Sequence, residues 1–320
     1  MTQGHPQPLW IVRERVQAWL SLVLQCVSAL RVWAFAVGLR QQHKAPRPVV
    51  SIGNVSFGGT GKTPTVIALV TALKARGLRV CILSRGYRRK KSQPTERVDP
   101  NGDATRFGDE PLLIARATGV PVVVDARRAR AAQWAQDALQ PDILLLDDGF
   151  SHLQLARDFD LVLLAANDMR FVARRRELRS ALKRAHVLAT LEPAIAAPPP
   201  GLVYIERTIA DDARGLIAGK RVIAMAAIAH PERFERLLSD AGATVVERAY
   251  FHDHHAFAPG ALEAALAKCK AGAADLVAIT EKDAVKLASV PAGVVVVKMT
   301  VALPGPLVDR IAALVPTAKG

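Results

Sequence analysis

The stretch Ser56–Thr63, SFGGTGKT, follows the apolar run Val49–Asn54 (VVSIGN) and opens a stretch of helical character that reaches about Arg76. Strand, glycine-rich turn and helix in that order make a loop suited to wrapping phosphates, because the first N–H groups of a helix have no partner within it. Gly58, Gly59, Thr60 and Gly61 form the turn, where glycine lets successive N–H groups swing toward an anion. Lys62 adds a cation at the β and γ phosphates of a nucleotide such as ATP, and the Thr63 hydroxyl is a ligand type for Mg2+. The strict pattern has glycine where this chain has Ser56, yet GKT in this setting is hard to obtain by accident.

Downstream, β-rich runs alternate with helical stretches: VCILSR (80–85), a helix near Asp109–Ala117, VPVVVD (120–125), a helix over 127–139, and DILLLDD (142–148). That alternation predicts a parallel sheet with helices on both faces. After a proline-rich break at 194–201 a second set begins: KRVIAMAAI, a helix over Pro231–Asp240, TVVERAYF, a helix over Pro259–Lys270, DLVAIT, a helix near Glu281–Ala288, GVVVVKM and a helix over Pro306–Leu314. The reading is an α/β chain: a P-loop NTPase-like parallel sheet domain over 45–195, a second, smaller α/β domain over 196–320 that closes the cleft, and an amino-terminal amphipathic, membrane-associated helix within 1–44. At 320 residues the chain is long enough for two hydrophobic cores.

DILLLDDG ends a buried-type strand in two carboxylates, Asp147 and Asp148, the Walker B arrangement for holding Mg2+. An acidic pair after a strand is a weak signal alone and a strong one behind a phosphate loop. FGDEP (107–111) sets Asp109 and Glu110 just before a helix, where Asp109 is equally open to capping the helix and to accepting a hydroxyl proton. FHDHHAF (251–257) gathers His252, His254 and His255 around Asp253 at a strand end. No Cys or HExxH partner accompanies it, which favours a charge-orienting role over zinc. Two basic stretches remain, SRGYRRKK (84–91) and RRRELRSALKR (174–184). The first leaves the carboxyl end of a strand, where open α/β sheets seat ligands, so Ser84 and Arg85 are candidates for an anion site.

With 43 Lys and Arg against 29 Asp and Glu the chain carries a formal charge of +14, which favours an anionic partner. Only 5% of residues are aromatic, and the basic clusters lack the repeated interleaved aromatics that stack bases, which argues against nucleic acid. Cys26, Cys81 and Cys269 are scattered, which indicates neither a disulfide framework nor a zinc site, and no secretory signal opens the chain. Residues 16–39 are strongly apolar but interrupted by Gln17, Gln25 and Arg31, so a confident membrane span is not met. An interfacial helix fits instead, with Trp10, Trp19 and Trp33 at headgroup depth and Arg13, Arg15, Arg31 and Arg40 near lipid phosphates. A helix packed into the protein's own core is the open alternative.

Taken together, the apolar amino-terminal helix, SIGNVSFGGTGKTP, SRGY, FGDEP, DDGFSH, DHH and TEKDAVK, in this order, resemble the tetraacyldisaccharide 4′-kinases, the lipid A 4′-kinases of Gram-negative bacteria. The resemblance covers nearly the whole chain, and Ser56 is similar to what that family uses. It implies transfer of the ATP γ-phosphate, with Mg2+, to the 4′-hydroxyl of a tetraacylated glucosamine disaccharide 1-phosphate at the cytoplasmic face of the inner membrane, giving lipid IVA. Carried onto matching positions, it implies a phosphate loop over Gly58–Thr63, carboxylates Asp147 and Asp148 at Mg2+, and Asp109 as base paired with His254 across the cleft. Ser84, Arg85, Tyr87 and His152 would line the site. Partners would be the lipid-linked disaccharide and the anionic inner-membrane surface, with no obligate protein partner. Departures are Ser151, where the family has Gln, Ala227, where it has Gly, and a basic Phe171–Arg175 in place of a Gly/Pro-rich stretch. The residues by themselves also leave open a kinase of a small soluble alcohol and a membrane-bound nucleotide switch.

Overall fold

The computed structural model describes residues 9–316, apart from 57–58, 91–92, 167, 170–176, 194 and 196, and the side chains from Trp19 onward, Leu20 excepted. Strands β1 (Val49–Asn54), β2 (Val80–Ser84), β3 (Glu96–Arg97), β4 (Val122–Val124), β5 (Ile143–Asp147), β6 (Phe159–Leu163), β7 (Val187–Thr190) and β8 (Val203–Tyr204) form one sheet in the order β3-β4-β2-β5-β1-β6-β7-β8. Its pairs are parallel except β3 with β4. The helices of this half are α1 (Leu9–Ala36), α2 (Lys62–Ala75), α3 (Ala104–Phe107), α4 (Asp109–Thr118) and α5 (Arg128–Leu139).

Every residue of β1, β2, β4, β5 and β6 is buried, as in a sheet covered on both faces. The two-residue period of a strand sorts the side chains between faces. Val50, Ile52, Ile82 and Leu145 join Val66, Leu69 and Leu73 of α2 and Leu112 of α4. Val49, Cys81, Leu83, Leu144 and Leu146 face Ala131, Ala132 and Ala135 of α5.

The second half contains β9 (Glu206–Ile209), α6 (Asp211–Ile217), β10 (Arg221–Ala226), α7 (Pro231–Asp240), β11 (Thr244–Tyr250), α8 (Ala261–Lys270), β12 (Leu276–Thr280), α9 (Glu281–Ala284), β13 (Val294–Val297), β14 (Met299–Ala302) and α10 (Gly305–Ala312). Its parallel sheet runs β11-β10-β12-β13, with Phe234 and Leu238 of α7 on one face and Leu262 and Ala265 of α8 on the other. β9 and β14 pair antiparallel as a two-stranded ribbon between the halves.

The packing departs from a division at residues 195 and 196. β8 pairs with β7 in the larger sheet, and α10 buries Leu307, Val308 and Ile311 in the core that holds α2. An amphipathic helix announces that it needs an apolar partner without saying which one.

Helix α1 has its polar side chains inward. Ser21, Gln25 and Ser28 are buried, and Ser28 Oγ donates to Glu177 Oε2 at 2.6 Å. Trp19, Leu22, Leu24, Val27, Leu30 and Trp33 are exposed, Trp19 by 67% and Leu30 by 63%. A core helix has the reverse pattern, so that alternative fails for the described side chains. Among the described residues no helix is long and apolar enough to cross a membrane.

Candidate active site

The carboxyl ends of β1, β2 and β5 meet where the glycine turn leads into α2. Gly61 sits at φ +85°, a conformation that favours glycine, and a Cβ built there would lie 2.0 Å from Leu191 Cδ1, which would have to move. Lys62 opens the helix with Nζ 3.8 Å from Asp148 Oδ1, and Thr63 follows it in the first turn. Gly58 lies outside the described residues.

Asp147, the last residue of β5, is buried. Its Oδ2 accepts from Ser84 Oγ at 3.2 Å, while Oδ1 has no hydrogen-bond partner among the described residues. Burial pushes the carboxyl up to about 7, the charges of Glu110 and Asp148 add to the effect, and Lys62 opposes it. Asp148 holds the left-handed conformation at φ +53°. An orphaned carboxylate oxygen in a crowd of like charges fits a divalent cation. No group of three or more His, Cys, Asp or Glu among the described residues is arranged to hold a metal, so such a cation would also need the Thr63 hydroxyl and phosphate oxygens.

On the opposite wall Gly108, at φ +93°, is the N-cap of α4, and no side chain caps the helix. Capping is therefore not what Asp109 does. Its Oδ2 lies 3.4 Å from His254 Nδ1 and 3.8 Å from Lys286 Nζ. His254 Nε2 is 3.1 Å from Lys282 Nζ, which also lies 3.3 Å from Glu110 Oε1 and donates to Asp253 Oδ1 at 3.1 Å. An ammonium group only donates, so in this contact Nε2 is the acceptor and Nδ1 is the donor side of the ring, toward Asp109. The Tyr87 ring meets His254 edge-on at 5.5 Å, and His254 itself is held at φ +66° with its N–H donating to Ala227 O at 3.3 Å.

Of the histidine cluster, His254 reaches Asp109, while His252 and His255 face each other at 5.8 Å. Lys282 and Lys286 are site residues that motif reading named only as part of TEKDAVK. Lys282 lies in α9 and Lys286 in the turn that follows its last residue, Ala284, so the expected helix to Ala288 stops short and the pair gains meaning only where this segment lies against α4. Asp283 supports them, accepting from Ala227 N at 3.1 Å, Thr280 Oγ1 at 2.7 Å and Lys286 Nζ at 2.9 Å.

The basic stretches divide. Arg85 is exposed, whereas Arg89 is buried against Glu96 at 2.5 Å and belongs to the scaffold. Lys91 and Arg174–Arg176 lie outside the described residues. Arg128, not singled out from sequence, is buried, and burial pushes its guanidinium down to about 10 against the charges of Asp147 and Asp148. Burial and then Arg128, Arg157, Arg31 and Arg85 push His152 down to about 4, so it is neutral. Ser151 accepts from Arg31 through its backbone oxygen at 3.3 Å, a contact that does not need the side chain.

A glycine turn and strand-end carboxylates on one wall, with a carboxylate–histidine pair on the other, are the working parts of an α/β kinase, and this chain is a kinase. More narrowly, it belongs to the LpxK family, tetraacyldisaccharide-1-P 4′-kinase, whose model matches residues 14–316. It is 39% identical to the tetraacyldisaccharide 4′-kinase of Chromobacterium violaceum over 305 residues, covering 86% of each chain. The corresponding Haemophilus influenzae protein is 34% identical, with 88% of this chain and 87% of that one covered. The crystal structure of LpxK from Aquifex aeolicus in complex with ATP superposes with a TM-score of 0.76 at 28% identity, covering 95% of this chain and 99% of that one.

Proposed function

We propose that this kinase moves the γ-phosphate of ATP to the 4′-hydroxyl of a tetraacylated disaccharide 1-phosphate while lying on the cytoplasmic face of a bacterial inner membrane. The observation that carries the reading is the approach of Asp109 and His254 from different halves of the chain, on the wall facing Lys62 and Asp148. Asp109 accepts the proton of the attacking hydroxyl as its oxygen bonds to the γ-phosphorus and the bond to the β–γ bridging oxygen breaks, releasing ADP. His254, protonated on Nδ1, orients the Asp109 carboxylate, and Lys282 fixes the imidazole from behind. The glycine turn and Lys62 hold the phosphates. A magnesium ion bound at Asp147, Asp148 and Thr63 would neutralise charge on the phosphate oxygens. Ser84, Arg85, Tyr87 and His152 line the site, with Ser84 and Arg85 on the nucleotide side.

The outward apolar face of α1 supports a membrane seat, because an acceptor with four acyl chains keeps them in the bilayer and the cleft must come to the headgroups. Arg31 and Arg40 add attraction of about 1 kcal/mol each near an anionic surface, which salt screens, while apolar burial persists. High salt is therefore expected to release the protein from anionic vesicles only in part, and detergent fully. The direct test is ATP-dependent phosphorylation of the disaccharide 1-phosphate in mixed micelles. Asp109→Asn is expected to bind ATP and transfer almost nothing; normal transfer by that variant would overturn the assignment of the base.

A further inference from the structure

Arg233, in the first turn of α7, reaches from the smaller half to the phosphate loop: its Nη1 donates to the backbone oxygen of Gly59 at 2.6 Å. The same guanidinium pairs through Nη2 with Glu192 Oε1 at 2.8 Å, and both side chains are mostly buried, 21% and 18% exposed. Glu192 follows Leu191, the residue lying against Gly61, so Arg233 ties together the loop and the strand end packed on it.

Two features make this more than a surface ion pair. A Cβ built on Gly59 would meet no heavy atom within 4 Å, so on that side the peptide has open space, and Arg233 is the side chain that holds its oxygen. Arg207 and Arg236 crowd the same place, where burial first and then the charge of Arg233 hold the Arg207 guanidinium below its usual range. Cations outnumber Glu192, so a third guanidinium adds little to neutralising that carboxylate, and its distinct contribution is the bond to the loop.

A trans peptide is planar, with its C=O and the following N–H pointing to opposite sides. Fixing the Gly59 oxygen outward onto Arg233 therefore fixes the Thr60 N–H in the opposite direction, toward the hollow of the turn. We propose that Arg233 is a positioning residue that holds the phosphate loop in its anion-accepting form from the other domain, so that nucleotide affinity depends on the smaller domain being docked. Without the bond the Gly59–Thr60 peptide is free to rotate, and part of the binding energy goes to ordering it. The inference rests on the reading of this loop as the nucleotide seat.

The test is calorimetric titration of the full-length protein in detergent micelles with ADP, comparing Arg233→Met, which keeps the apolar stem and removes the donors, with Arg233→Lys, which can still donate to the same oxygen. Arg233→Met is expected to bind ADP roughly tenfold more weakly, the scale of a lost hydrogen bond from a charged donor. Arg233→Lys is expected to recover most of that loss. In kinetics the effect appears as a raised KM for ATP with the acceptor KM and kcat at saturating ATP unchanged. Wild-type ADP affinity in Arg233→Met, or equal weakening in Arg233→Lys, overturns the proposal, and so does a loss shared equally by both substrates, which marks a merely structural role. Lys62→Ala in the same titration separates the two levels: if it leaves ADP binding intact, the nucleotide seat itself is misassigned, and if it abolishes binding while Arg233→Met does not weaken it, only the role of Arg233 falls.

Discussion

Helix α2 turns Val66, Leu69, Val70 and Leu73 into the core, whereas α1 turns Ser21, Gln25 and Ser28 inward and leaves Trp19, Leu22, Leu30 and Trp33 facing out. Both are apolar by composition, and hydropathy alone does not tell them apart. The difference lies in what the inward face meets. α2 covers a sheet of Val, Ile and Leu, while α1 meets Glu177 and the backbone of Ser151, which reward a hydroxyl or a guanidinium. The apolar side chains of α1 are left for another medium. One helix builds the machine, and the other, on the proposed membrane seat, would locate it.

The comparison breaks most sharply on chemistry. Asp109→Asn should lower kcat by about 10²- to 10⁴-fold and leave vesicle binding untouched. His254→Ala should fall in the same direction, and the double variant should lose less than the product of the two because the pair acts as a unit. Co-sedimentation with anionic vesicles beside turnover in micelles separates location from catalysis; independent, multiplying losses would dissolve the pair.

Stability is the next largest contrast. Leu73→Ala removes a fully buried side chain and should cost about 2–5 kcal/mol in urea unfolding. Leu30→Ala, on the outward face of α1, should change folding by under about 0.5 kcal/mol yet weaken vesicle binding. A large folding cost at Leu30 would make α1 a core helix after all.

A chain beginning at Lys44 sharpens the same contrast. It should bind ADP normally and phosphorylate vesicle-embedded acceptor at roughly a tenth of the full rate or less, a loss of about 1.4 kcal/mol in transition-state terms. Full activity on vesicles would remove the membrane role of α1.

The smallest effect is in pH. The folded protein keeps the Asp147 proton up to about pH 7, whereas an unfolded chain gives it up near the ordinary carboxylate range. The folded state then holds more protons between those limits, so this contribution is present on the acid side and is lost as pH rises toward 7. Asp147→Asn, which carries no charge to bury, should melt higher than the unmutated protein by roughly 2–4 °C above neutrality and by less in acid. Added Mg2+ should close the gap by stabilising the unmutated protein alone. A pH-independent difference would mean that Asp147 is ionised throughout.

Much of this architecture is readable from local pattern. VVSIGN, VCILS and ILLLD carry apolar runs bounded by glycine or carboxylates, and each is a strand next to the site. Pro231–Asp240 is a helix at the expected bounds, because proline is pre-set for the first turn and the apolar spacing is helical. Phe159–Leu163 and Val187–Thr190 are strands that local pattern does not reveal, since short apolar runs after a turn or a basic segment lack a period that separates strand from helix. The sequence pattern assigns no role to Lys282, Lys286, Arg128 or Arg233, because the site groups they approach, Glu110, Asp109, Asp147 and the Gly59 carbonyl, lie far away in sequence. Charge in a helix looks like a solvated face until the fold supplies a carboxylate or a carbonyl opposite it.

The ribbon of β9 and β14 carries a consequence for how the smaller half travels. Its entry and exit strands are hydrogen-bonded side by side, from Ile209 with Met299 to Glu206 with Ala302, and the chain then returns to the first core through α10. Topologically the smaller half is an insertion, a flap sewn to its frame along one short seam. A flap with adjacent ends can swing without unthreading anything, and such a swing would carry His254, Lys282 and Arg233 as one group. In such a motion the histidine proposed to orient Asp109 and the brace on the phosphate loop would travel together, while Asp109 itself, on α4, stays with the frame.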